Sequence, residues 1–233
     1  MTHEPHDPTH AGSPVPAASF AGAVFSLSEI HATCLKAARG SGLSWGLAEE
    51  AGMAAAWLAS AGLPGPELML QLLDQPVQEP PVVAPGSWRA AHGASVCPVA
   101  AGAALSDFAA LPEGIGRGGL TIVALAFPAV ILPFAAQVAR RTGRPIAVEW
   151  PGFRASLAPE GYRIAATSGI EVALANATLG YASEAGSLSQ LRPDGRSVAL
   201  DVWQRLDDLA MRTMVPATAR SHADAGAAAL DND

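Results

Sequence analysis

The chain has 233 residues, enough for one large domain or two small ones; half are apolar and 15% are charged, well under the ~25% of an average soluble domain. Its net charge is −7, from 21 acids against 14 bases with Lys36 the only lysine, and no stretch offers the dense basic face that displaces counterions from nucleic acid. Two cysteines, Cys34 and Cys97, exclude a disulfide scaffold and a tetrathiolate zinc site.

Residues 1–24 contain four prolines and three histidines and lack the basic start and apolar run of a secretory signal. They hold too little apolar surface to offset the entropy of ordering them, and they are predicted to be a disordered leader. His3, His6 and His10 with Glu4 and Asp7 can hold a divalent metal weakly, but a flexible tail with incidental histidines is the preferred reading, and no metal site is assigned.

A helical region is predicted over 25–75. Ser26 and Glu29 have capping-box spacing, with Phe25 and Ile30 placed as a hydrophobic staple. Leu27, Ile30, His31, Cys34, Leu35 and Ala38 then recur at helical spacing, and Gly40 is expected to end the helix in the left-handed conformation. A second helix, capped by Ser44, runs to about Ser60, and a third spans Pro66–Asp74. The second carries Glu49 and Glu50 and no Arg or Lys, so a helix-turn-helix that reads DNA is rejected. Four prolines in 76–86 make a stiff, extended connector.

The runs Ser28-Glu-Ile, Lys36-Ala-Ala-Arg-Gly and Ser44-Trp-Gly-Leu-Ala-Glu-Glu-Ala-Gly resemble a bacterial family known only as a domain of unknown function, the one numbered 3726. The resemblance extends through Cys97-Pro98, Gly102 and Asp107 to Thr213-Met-Val-Pro-Ala-Thr and the Asp231-Asn-Asp ending. It implies a complete, stand-alone protein. It brings no assigned activity, so no catalytic residue is carried over.

The region 87–216 reads as a mixed sheet with helices. A helix over Val99–Ala110 follows Pro98, and Gly114–Gly119 is taken as a connector, since phosphate loops follow a strand and this one precedes it. The 22 uncharged residues 118–139 are long enough to cross a membrane. Pro128, Pro133, Gln137 and the β-branched Thr121-Ile122-Val123 argue instead for a strand Leu120–Ala126, a turn, a helix near Ala129–Arg141 and a strand Pro145–Trp150, a parallel crossover unit. Antiparallel strands are predicted at Phe153–Ala158, Tyr162–Ala166 and Ile170–Ala175. An amphipathic helix over Val198–Thr213 has Asp201–Arg205 and Asp208–Arg212 spaced to pair, and 217–233 is a small-residue acidic tail.

The expected fold is therefore α+β, an N-terminal helical region packed on a mixed sheet with a crossover helix and a C-terminal helix, in a soluble cytoplasmic protein. Candidate catalytic groups are His92 and Cys97, with Asp107 as a third, and Glu49 and Glu50. Cys97 precedes a helix N-terminus that can lower a thiol pKa, although a structural loop accounts for the same residues. Glu49 and Glu50 read either as an acid/base pair or as a solvated edge, and His31 as a core histidine. Arg154 and Arg163, with Glu149 and Glu171 nearby, can bind a small carboxylate or form an exposed mixed-charge face. Asp231 and Asp233 can reach into a partner or over the protein's own cleft. No nucleophile–base–orienter set stands out. The preferred function is a non-catalytic accessory or interaction subunit, with a partner subunit or a second copy as its associate. The alternative is a small-molecule enzyme with a pocket between the two regions. No cofactor, nucleic acid or membrane is assigned.

Overall fold

The computed structural model describes residues 22–76, 78–182 and 187–213. A short strand, β1 (Ala23–Phe25), leads into helix α1 (Leu27–Gly40). The capping box forms as predicted: the Glu29 amide donates to Ser26 Oγ at 3.2 Å and the Ser26 amide to Glu29 Oε2 at 2.7 Å. The left-handed residue after the helix is Gly42, with φ of 100°, and not Gly40, which stays helical because it packs against the C-terminal helix.

Helix α2 (Trp45–Ser60) is capped by Ser44, and α3 (Gly65–Leu73) follows a tight turn. Small residues let the three helices meet backbone to backbone. Gly52 lies against the His31 carbonyl of α1, and Gly65 lies under the Ala55 carbonyl of α2. Ala48, Ala51, Ala54 and Ala55 are fully buried between them.

The main sheet has six strands among the described residues: β2 (Ser87–Trp88), β3 (Leu120–Ala126), β4 (Ile146–Trp150), β5 (Phe153–Ala158), β6 (Gly161–Ala166) and β7 (Leu174–Tyr181), in the order β2-β3-β7-β4-β5-β6. Among these six strands only β2 and β3 pair in parallel. A 3₁₀ turn (Pro128–Ile131) and helix α5 (Leu132–Thr142) connect β3 to β4 as a crossover. The two strands run in the same direction but are not neighbours, because β7 lies between them, antiparallel to both. That corrects the simple crossover unit. It also displaces the strand expected at Ile170–Ala175: the chain turns through 170–173, held by the Trp150 indole donating to the Gly169 carbonyl at 2.8 Å, and pairing begins at Leu174.

Ala23 and Val24, placed in the leader, pair instead with β8 (Arg196–Val198). Helix α6 (Leu200–Met211) closes the described chain. It packs on α1 and α3, and its Arg205 pairs with Asp74, the C-cap of α3, instead of with Asp201.

The result is three layers. Helix α5 covers one face of the sheet, against β4 and β5, with α4 (Pro98–Asp107) beside it; α1, α2, α3 and α6 form an outer layer over both. The Tyr162 hydroxyl of β6 reaches that layer and donates to the Ala61 carbonyl at 3.0 Å. The core runs through Trp88, Ile122, Leu125, Ile131, Leu132 and Phe134, so most of the uncharged segment 118–139 is interior. No described helix is long and apolar enough to cross a membrane.

Candidate functional site

The predicted site residues divide among three places. Cys97 is the N-cap of α4 and lines a cavity of about 260 Å³ between the α1–α2 turn, the end of α3 and the proline-rich connector. The helical region and the rest of the chain do meet at a pocket there. The amides of Val99 and Ala100 approach the thiol, as the position before a helix implies, but burial outweighs them and holds its pKa above the ordinary value. The lowered thiol pKa expected at this position is not what forms.

His92 does not line that cavity. Its ring is 84% exposed, and Nδ1 lies 3.0 Å from Glu79 Oε1, while the His92 amide donates to the other Glu79 oxygen at 3.0 Å. Those contacts with His92 hold the Glu79 carboxyl below its ordinary pKa, the backbone hydrogen bond most of all. The strand bridge of Glu79 to Val96 brings this pair near Cys97 in the chain, and the Cys97 amide donates to the Glu79 carbonyl at 2.8 Å.

Glu50 and Asp107 are brought together where α2 meets α4. Partial burial, then the Asp107 charge, then that of Glu49 raise the Glu50 carboxyl above its ordinary pKa. Glu49 points to solvent and Asp107 is exposed. Cys34, on the buried face of α1, is pushed up to about 12 by burial and by the Glu67 charge, so it is a core thiol.

The sheet face opposite α5 carries Arg154 and Arg163, as expected. Glu149, Arg154, Ser156 and Arg163 share it, because Glu149 pairs across from Arg154 and Ser156 across from Arg163. Arg154 Nε lies 2.9 Å from Glu149 Oε1. Glu171 sits in the turn that precedes β7.

Two features escape the sequence reading. Lys36, Arg39 and Arg212 surround a shallow cavity of about 280 Å³ at the end of α1, beside Trp45, which is 64% exposed with the Arg39 guanidinium 4.9 Å from its ring centre. On the sheet face, Arg117 and Arg144 border two adjoining cavities that the Gly114–Gly119 connector helps to line. The first feature joins residues from opposite ends of the sequence, and no local pattern announces it. The second left a trace, an arginine set between glycines and a glycine near the end of β7.

Among the described residues no group of three or more His, Cys, Asp and Glu side chains is arranged to hold a metal. His3, His6, His10, Asp231 and Asp233 lie outside the described residues.

Residues 25–116 match the model of a family described as "Protein of unknown function (DUF3726)", the family the sequence resembles. The match covers α1 to α4 and ends before β3; the resemblances at 213–218 and 231–233 fall outside it. No curated protein and no solved structure matches the chain.

Proposed function

We propose that this chain is a cytoplasmic, non-catalytic accessory subunit that docks a partner protein on the surface around Trp45. The carrying observation is the composition of that surface. Three of the chain's 14 basic residues gather beside its most exposed tryptophan, in a molecule whose net charge is −7. Trp and Arg are the residue types that dominate binding energy at interfaces, and a local cationic field selects an acidic counterpart. The partner's docking segment is accordingly acidic, with one apolar side chain to lie against the indole.

The remaining chemistry supports the same reading. The Cys97 thiol is held protonated by burial, and His92 is turned outward to Glu79. Two free cysteines fit a reducing compartment.

The test uses a synthetic peptide of glutamates around a central phenylalanine. The full chain is expected to bind it saturably, less tightly as salt is raised, and Trp45→Ala or Lys36→Gln with Arg39→Gln is expected to abolish binding. Binding that these substitutions leave unchanged overturns the proposal. So does binding of a peptide of residues 217–233 with none of the acidic probe, which would make the chain's own tail the occupant.

A further inference from the structure

We infer a second site, independent of the docking surface: a cleft on the open sheet face that binds a small organic anion, its carboxylate or phosphate held between Arg117 and Arg144. Both arginines are exposed and both line two adjoining cavities, of about 810 and 500 Å³, which also share Gly118, Gly119 and Tyr181. Cavities of that size hold a metabolite-sized ligand.

The arginines are placed for recognition rather than for structure. Arg144 follows Gly143, whose left-handed conformation ends α5, and its guanidinium stacks 3.5 Å over the Tyr181 ring. Stacking fixes the plane of the guanidinium while leaving its N–H groups for an oxyanion. Arg117, on the glycine-rich segment, lines the same two cavities. Among the described residues neither arginine forms an ion pair, whereas Arg154, on the same sheet face, is paired with Glu149. Among the described residues Glu149 is the only acid lining either cavity, and Arg154 neutralises it. Among those residues the cleft keeps two uncompensated positive charges.

The floor points the same way. Gly180 lies within β7, where glycine weakens a strand, and Gly118 lies beside Arg117. A Cβ at either position would meet nothing within 4 Å, and neither has the positive φ that demands glycine. Neither backbone shape nor packing asks for these glycines; bare backbone in a cleft lets a ligand come close.

The two cavities differ in character. The larger is walled by Pro85, Leu111, Pro112 and Ile115, and Leu111 is 50% exposed there. The smaller lies over Ala147, Thr178 and Gly180. A ligand with its anionic group at the junction places an apolar body against Leu111 and Ile115.

The test is calorimetric titration of the full chain with phenyl phosphate, benzoate, inorganic phosphate and phenol. Phenyl phosphate or benzoate is expected to bind saturably, the tighter of the two naming the anion. Inorganic phosphate is expected to bind more weakly, and phenol not at all. Arg117→Gln and Arg144→Gln should each lower affinity about tenfold or more, as loss of a charge-assisted contact does. Gly180→Val should also lower affinity while keeping or raising stability, since a β-branched residue suits a strand. Arg163→Gln, on the same face but outside the cleft, should change nothing. Equal binding of phenol, or unchanged affinity in the Arg117→Gln/Arg144→Gln double variant, overturns the site.

Discussion

Gly40 of α1 faces the Leu209 carbonyl of α6 with no room between them for a Cβ. The contact fixes how closely the last described helix can approach the first. Any side chain at position 40 must separate the two, exposing Leu206, Leu209 and the α1 face they cover. Overpacking of this kind costs about 1–3 kcal/mol. Gly40→Ala is expected to lower the unfolding free energy by that amount, read as a lower urea midpoint with an unchanged slope.

Tyr162 carries a second long-range tie. Its ring is buried and its hydroxyl donates to the Ala61 carbonyl, joining β6 to the turn between α2 and α3. Tyr162→Phe keeps the ring packing and leaves that carbonyl without its donor, for an expected loss of about 1 kcal/mol. Equilibrium unfolding measures it, and Trp57, 5.9 Å from the Tyr162 ring, is a local fluorescence reporter.

These two contacts show what the sequence carries and what it does not. The helices were legible because their signals are local: Ser26 and Glu29 are three residues apart, Ser44 immediately precedes α2, and Pro98 opens α4. Leu120–Ala126 was legible because Pro128 and Pro133 interrupt an apolar run too broken for one helix. Strand β7 was not, because Leu-Ala-Asn-Ala-Thr-Leu-Gly-Tyr buries mainly Ala177 and Leu179, and an alanine gives periodicity little contrast. Insertion of β7 between β3 and β4 is a topological choice that no spacing records. The candidate residues were found where chemistry is visible in a single letter, such as Cys97 or Glu50. Arg117 and Arg144 gain meaning only when the sheet folds them to one cleft.

Glu50 makes stability depend on pH. Its carboxyl titrates higher in the folded chain than in the unfolded one, so the folded state holds the proton more tightly. Stability therefore falls as pH rises from the ordinary carboxylate range through the raised folded value, then levels off. The group is partly solvated, which limits the effect to about 0.5 kcal/mol. Glu50→Gln should match the parent chain at acidic pH and exceed it by that small amount at neutral pH, in paired denaturation curves. Asp107→Asn should give part of the same gain, because its charge contributes to the shift.

The two cysteines should separate cleanly by reactivity. Only the thiolate attacks an alkylating reagent, and burial disfavours that form in both. Cys97 lines an open cavity, so reagent can reach it; Cys34 is fully buried and pushed up to about 12. Cys97 is expected to react with iodoacetamide several-fold more slowly than a free peptide cysteine at neutral pH. Its rate should keep climbing, about tenfold per pH unit, beyond the pH where the free cysteine levels off. Cys34 should stay unmodified until denaturant unfolds the chain. Mass spectrometry of timed samples reads both sites at once. Alkylation of Cys97 faster than the free cysteine at neutral pH would mean that the Val99 and Ala100 amides outweigh burial, and it would return this thiol to consideration as a nucleophile.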